Sequence, residues 1–347
     1  MSQPIRVLVV DDSAFVRKVV AQMLSRDPGI AVVGTARDGE DALELSERLQ
    51  PDVITLDLVM PRMNGVEFLR AQAARRPVPV VICSIAHESG AMALEAFEAG
   101  AIEFVQKPTA LATDRVYEIA EELIAKVRTA ARAQVGRAPA VNAAPSPATA
   151  AVRPAGAGGT DIVVLGISTG GPQALRHLIP RLPAAFPVPI AIVLHMPLGY
   201  TAMYAERLND ISPLEVVEAA DGDVLRPGLV WLAPAGQHLT FERGADGAVR
   251  AHLDLRPADT PHRPAVDVLF QSAAAIFGPR VLGVVMTGMG TDGLLGAAHI
   301  KAQGGRIATE AESSCVVYGM PRAVAEASLS DRSATLEEMA DVIAELI

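Results

Sequence analysis

The chain has 347 residues, half of them apolar, and a formal net charge of −10. That length suits two domains with buried cores, while the acidity and the absence of a Lys/Arg-rich run disfavour nucleic acid or an anionic membrane as partner. Two distant cysteines (Cys83 and Cys315), no signal-peptide pattern and no apolar run long enough to span a bilayer predict a cytoplasmic protein with free thiols and no membrane insertion.

The first third alternates apolar runs with amphipathic stretches. Strands are expected over Arg6–Val10, Ala31–Ala36, Val53–Leu56, Val78–Cys83 and Ile102–Gln106. Helices are expected over Ala14–Ser25, Glu40–Gln50, Gly65–Ala74, Ala91–Ala99 and about Asp114–Ala133. Five strands alternating with five helices imply a parallel sheet covered on both faces, with functional groups at the carboxyl ends of its strands. Asp11 and Asp12 end the first strand, Asp57 the third, Ser84 the fourth, and Lys107 before Pro108 the fifth. Acids and glycines often end strands singly; five polar residues at ordered strand ends form a set. Two carboxylates about 4 Å apart repel by roughly 4 kcal/mol at an effective dielectric of 20. Mg²⁺ suits an oxygen-only site, and Lys107 supplies a fixed positive charge. Together they could neutralise an incoming phosphoryl group while one aspartate attacks it.

VLVVDDS, LDLVMPRMNG, Ser84 and VQKP resemble a response-regulator receiver domain over residues 1–128. The resemblance implies a flavodoxin-like (βα)5 fold with Asp57 as phosphoacceptor. It implies Mg²⁺ held by Asp11, Asp12 and Asp57 with the Val59 carbonyl, and Ser84, Phe104 and Lys107 as the residues that respond to the phosphoryl group.

Residues 129–159 are rich in Ala, Pro and Gly, with no acid and no Leu, Ile, Phe or Met. They cannot bury a core and read as a flexible linker with an r.m.s. span of about 30 Å. Residues 160–347 read as a second, mostly parallel α/β domain. Strands are expected over Ile162–Ile167, Ile190–His195, Leu229–Ala233, Val281–Met286 and near Ile307. His238–Glu242 and Val249–Leu253 suggest a hairpin. Helices are expected over Gln173–Arg181, Thr201–Asn209, Val266–Phe277, Leu294–Gln303 and Pro321–Ala327. With 21 Asp plus Glu against 13 Lys plus Arg, this domain is a poor DNA binder.

Val163–Pro172 (VVLGISTGGP) is a buried strand running into a glycine-rich turn with Ser168 at its tip. Pro172 then sets the first helical turn. His195 closes AIVLH, and Asp292 lies in TGMGTDG directly after another strand. Each has a blander reading alone: turn serine, satisfied core histidine, turn aspartate. Together, at three strand ends, they suit a nucleophile, a base and an orienting acid, with a backbone N–H such as that of Met289 facing an oxyanion. A dinucleotide site is disfavoured, because Ser168 stands where its second glycine is needed and no acid lies between Pro172 and Ala205. The order Ser168, His195, Asp292 also differs from the Ser, acid, His order of α/β-hydrolases.

GISTGGP, LHMP, AADGD, LAPAG, HRPAVDVLF, TGMGTDG and ESSCVVYGMP recur in the order of the CheB family of chemotaxis methylesterases, which the chain resembles over nearly its whole length. The departures are mild: a serine at Ser84 and an alanine-rich linker. The resemblance implies a doubly wound catalytic domain with Ser168, His195 and Asp292 as catalytic triad, and no cofactor for the esterase. It implies phosphorylation-activated hydrolysis of glutamate γ-methyl esters to methanol, and deamidation of receptor glutamines. Partners would be the cytoplasmic domains of methyl-accepting chemoreceptors and a chemotaxis histidine kinase as phosphodonor. A non-enzymatic phosphate sink, or the same esterase in another sensory pathway, are the competing readings.

Overall fold

The apolar runs of the first third become strands, the inner ones buried along most of their length, and the polar residues that follow them lie together at one edge. The computed structural model describes residues 3–84, 90–107, 115–133 and 159–347, with side chains from residue 119 onward in the helix that starts at 115. The chain divides into two compact units, Met1–Ala138 and Pro139–Ile347.

In the first unit the elements run β1 (Ile5–Val10), α1 (Ala14–Leu24), β2 (Ile30–Ala36), α2 (Gly39–Leu49), β3 (Val53–Leu56), α3 (Gly65–Ala73), β4 (Val80–Ser84), α4 (Gly90–Glu98), β5 (Glu103–Gln106) and α5 (Arg115–Ala130). The sheet is parallel, in the order β2-β1-β3-β4-β5. The order reverses between β1 and β3, so a crevice opens beyond their carboxyl ends, where Asp11, Asp12 and Asp57 stand. Helix starts follow capping chemistry. Asn64 accepts the N–H groups of Val66 and Glu67, and the Glu67 carboxylate accepts the Asn64 N–H in return. α5 runs to Ala130 with Thr129 and Ala130 buried. The helix expected over about Asp114–Ala133 thus overlaps the start of the Ala/Pro/Gly-rich stretch by two residues and ends at Ala130. Asp114, Pro108 and residues 134–158 lie outside the described residues.

The second unit runs β6 (Ile162–Ile167), α6 (Gly171–Leu178), β7 (Ile190–Leu194), α7 (Thr201–Ile211), β8 (Glu215–Glu218), β9 (Leu229–Leu232), β10 (His238–Arg243) and β11 (Val249–Asp254). It continues with α8 (Val266–Phe277), β12 (Val281–Val285), α9 (Leu294–Ala302), β13 (Arg306–Glu310), α10 (Met320–Glu326), β14 (Arg332–Ala334) and α11 (Met339–Leu346). Seven parallel strands lie in the order β14-β13-β12-β6-β7-β9-β8, and β10 and β11 form an antiparallel hairpin. The chain winds outward from β6 through β7 and β9, returns to β12, and winds outward the other way. The switch point is therefore β6/β12, which places the residues after β6, β7 and β12 around one crevice.

Sequence reasoning misses β8, β14 and α11. β8 is an edge strand with glutamate at both ends, so it lacks the apolar run of a central strand. α11 is only eight residues long, yet it buries Met339, Ala340, Val342 and Ile343. Thr160 ties the start of this unit to its end, its hydroxyl donating to the Leu346 carbonyl at 3.1 Å. Both cysteines are free and buried, and burial pushes the Cys83 thiol up to about 12. No described helix is long and apolar enough to cross a membrane.

The α3 start sits hard against the β3 end. A Cβ on Gly65 would lie 2.5 Å from the Asp57 carbonyl oxygen and 2.9 Å from Leu58 Cα, both backbone atoms. Gly65→Ala is therefore expected to cost the first unit about 1–3 kcal/mol. Hydrogen exchange of the β1 and β3 amides in the full chain checks this; unchanged protection would mean that the turn yields without cost.

Candidate functional site

At the β1/β3 switch point, ligand oxygens of Asp11, Asp12 and Asp57 lie within 4.8 Å of one another. Lys107 Nζ bridges two of these carboxylates, 2.6 Å from Asp11 Oδ2 and 2.7 Å from Asp57 Oδ2. Asp57 Oδ1 accepts the Leu58 N–H at 2.8 Å and the Ser84 hydroxyl at 3.1 Å. Burial pushes the Asp11 carboxyl above its usual range, with the Asp57 charge adding to this and Lys107 opposing it. Burial works against the Lys107 charge, but hydrogen bonds to Asp11 and Asp57 hold its ammonium above the ordinary value. Three crowded carboxylates and one lysine leave an oxygen-only donor set that a hard divalent cation fits. Phe104 is buried, and Lys126 on α5 donates to its carbonyl oxygen. The sequence-derived set Asp11, Asp12, Asp57, Ser84 and Lys107 thus shares one pocket, with Phe104 on the adjoining strand.

At the β6/β12 switch point, Ser168 follows β6. Its N–H donates to the Thr287 carbonyl at 3.0 Å, and its own carbonyl accepts the Gly171 N–H at 2.6 Å. Gly170 holds φ +77° at the helix entry, and a Cβ there would lie 2.6 Å from Val316. A side chain at that position would be both strained and obstructed. Gly288 packs directly on Ser168, since a Cβ on it would lie 2.9 Å from Ser168 Cβ. Gly288 donates its N–H to the Val317 carbonyl, and its own carbonyl accepts the Gly319 and Met320 N–H groups. The neighbouring Met289 is exposed at the crevice edge.

His195 follows β7, and its Nε2 lies 2.9 Å from Asp292 Oδ2. Asp292 also accepts two backbone N–H groups, from Val266 at 2.8 Å and Asp267 at 2.9 Å. Burial alone would raise the Asp292 carboxyl; the hydrogen bond and charge of His195, helped by the two N–H donors, hold it below its usual range. His195 Nδ1 is buried and has no hydrogen-bond partner, so no bond joins it to the Ser168 hydroxyl. The structure brings histidine and aspartate into contact and sets the serine loop beside them without closing the last link. Serine-to-base bonds are often long before substrate binds.

Two neighbours carry no signal of their own in the sequence. The His262 ring stacks on His195, with centroids 4.1 Å apart and planes 25° apart. Asp267 accepts the N–H groups of Gly293 at 3.0 Å and Gly296 at 2.7 Å. Both lie in HRPAVDVLF, so the motif marks their segment without marking their roles.

A receiver fold followed by a doubly wound unit with a reactive-residue crevice defines a response regulator with an enzyme-like output domain. A family model described as response regulator receiver domain matches residues 7–117, and one described as CheB methylesterase matches residues 163–343. The chain belongs to the CheB methylesterase family. It is 56% identical over 337 residues to protein-glutamate methylesterase/protein-glutamine glutaminase 5 of Myxococcus xanthus, covering 97% of this chain and 96% of that protein. A protein-glutamate methylesterase/protein-glutamine glutaminase of Symbiobacterium thermophilum is 45% identical over 355 residues, covering 99% and 97%. The crystal structure of the Thermotoga maritima CheB methylesterase catalytic domain aligns with a TM-score of 0.53 at 41% identity, covering 54% of this chain and 99% of that one.

Asp292→Asn offers a single oxygen where the carboxylate offers two to the Val266 and Asp267 N–H groups. One buried donor is left unpaired, which is expected to lower unfolding free energy by about 1–3 kcal/mol at neutral pH. The folded carboxyl is held below 3.8, so its contribution is full above that value and is lost as pH falls through the folded pKa. Urea unfolding of both chains should show a gap near pH 7 that narrows below about pH 4. A gap independent of pH would place its origin elsewhere.

Proposed function

We propose that this chain is a phosphorylation-activated protein-glutamate methylesterase that also deamidates glutamine, acting on methyl-accepting chemoreceptors in chemotaxis adaptation. One observation carries the reading: a partly buried His195–Asp292 pair stands beside the Ser168 loop at the switch point of a sheet in a domain of the CheB methylesterase family.

Ser168 Oγ attacks the γ-ester carbonyl carbon while His195 takes its proton. With Nε2 engaged by Asp292, the accepting atom is Nδ1. Asp292 stabilises the imidazolium that forms. The Met289 N–H, beside the Gly288 peptide packed on Ser168, faces the oxygen that gains charge. As the C–OCH₃ bond breaks, His195 returns the proton and methanol leaves. Water, activated by the same imidazole, then cleaves the acyl-serine to glutamate. With glutamine the leaving group is ammonia and the remaining steps are the same.

In the receiver, Asp57 attacks the phosphorus of a phosphodonor, a chemotaxis histidine kinase in the cell, and the donor's bond to phosphorus breaks. Asp11, Asp12, Asp57 and the Val59 carbonyl would hold Mg²⁺, which when bound neutralises charge between carboxylate and phosphoryl group. Lys107 pairs with the phosphoryl oxygens, Ser84 donates to one, and Phe104 follows Ser84. The signal and the substrate both belong to the cytoplasm.

Methanol release from methylated receptor membranes is expected to rise when acetyl phosphate and Mg²⁺ are added. In Ser168→Ala it should vanish while Asp57 still takes up phosphate. Phosphorylation without methanol release from the wild-type chain would instead favour a phosphate sink.

A further inference from the structure

Glu310 takes no part in the chemistry above, yet it ends β13 at the same edge of the sheet as Ser168, His195 and Asp292. Its side chain is fully buried. Oε2 accepts the Thr287 N–H at 2.9 Å, and Oε1 accepts the Ser314 hydroxyl at 2.9 Å. Ser314 Oγ accepts the Leu336 N–H at 3.0 Å, which ties this corner to the segment after β14. Burial pushes the Glu310 carboxyl up, and its hydrogen-bond donors oppose that.

Thr287 is the residue Glu310 holds, and it touches the nucleophile loop twice. Its carbonyl accepts the Ser168 N–H at 3.0 Å, and its hydroxyl donates to the Thr169 carbonyl at 2.9 Å. The same hydroxyl accepts the Val317 N–H at 3.0 Å. The next residue, Gly288, packs on Ser168 so closely that a Cβ would lie 2.9 Å from Ser168 Cβ. The Thr287 backbone is therefore the joint through which the Ser168 backbone and the Gly288–Met289 peptide are held against each other. Attack on the ester needs these two held to within a fraction of an ångström.

We propose that Glu310 is a positioning residue for ester hydrolysis. Through the Thr287 N–H it sets the spacing between Ser168 and the oxyanion-facing Gly288–Met289 peptide. The inference rests on the reading of Ser168 as nucleophile. What it uses is the acceptor geometry of the side chain. An amide in the same place keeps it: a glutamine oxygen accepts the Thr287 N–H, and its NH₂ donates to Ser314 Oγ.

The test is the kcat and KM of full-length variants for methanol release from methylated receptor membranes, with acetyl phosphate and Mg²⁺. Glu310→Ala should lower kcat by about 10²-fold and leave KM within about twofold. Glu310→Gln should stay within about threefold of wild type in both. Glu310→Leu fills the volume without an acceptor and is expected to be as slow as Glu310→Ala; it is the variant read if Glu310→Ala loses its cooperative unfolding transition. Wild-type kcat in Glu310→Ala or Glu310→Leu overturns the proposal, as does a Glu310→Gln enzyme as slow as Glu310→Ala. Methanol release that survives Ser168→Ala overturns the nucleophile reading instead, a separate outcome in the same assay.

Discussion

The crevice at the β6/β12 switch point depends on an exchange of carboxylates between two helix starts. Neither α8 nor α9 has a capping side chain at its own N-terminus, where Ala265 and Gly293 stand. Asp292, just before α9, accepts the first N–H groups of α8, and Asp267, in α8, accepts those of Gly293 and Gly296 at the start of α9. Each helix is thus capped by an acid from the other, satisfying donors that a helix end leaves unpaired and placing negative charge at the positive end of each dipole. Asp292 is thereby fixed in orientation before it meets His195. Its remaining lone pairs point to one place, and the imidazole fills it.

The two units apply one topological rule to different side chains. Each sheet reverses its strand order at a central pair, β1/β3 or β6/β12, and each gathers its reactive residues beyond that pair. The fold explains where chemistry can occur, and the strand-end residues decide which. Acids with a lysine are the set of groups that a cation and a phosphoryl group call for. A serine in a glycine-rich turn, beside an oriented imidazole, is the set of groups that acyl transfer calls for.

The central strands were legible because strands buried on both faces must be apolar throughout, as VLVV and VVLG are. The strand-end residues were legible because a polar group that interrupts such a run has few structural reasons to be there. Glu310 also ends a strand, but RIATE is half polar and the glutamate reads as its ordinary solvated end. Its contact with Thr287 spans 23 residues, and that of Asp267 with Gly293 spans 26. Pairings between loops leave no periodicity to detect. The stacking of His262 on His195 depends on how the segment before α8 folds over the β7 end, and the choice of Nε2 for Asp292 depends on ring orientation. Composition and spacing carry neither. The edge strand β8 was hidden for the opposite reason: exposure lets glutamates in.

Asp11, buried, and Asp292, partly buried, show how two aspartates withdrawn from water come to differ. Both lose water, which raises a carboxyl. Asp292 regains more than it loses, through His195 and two backbone donors, and is held low. Asp11 has Lys107 and the Ser13 N–H, but Asp57 beside it adds a second negative charge, and it stays high. A carboxylate with three donors around it is held in place and acts as a fixed counter-charge for the imidazole beside it. A carboxylate short of positive charge keeps a standing attraction for a cation. The shortage of positive charge leaves the first pocket open to a cation, while the three donors on Asp292 hold its carboxylate and the His195 ring in one arrangement.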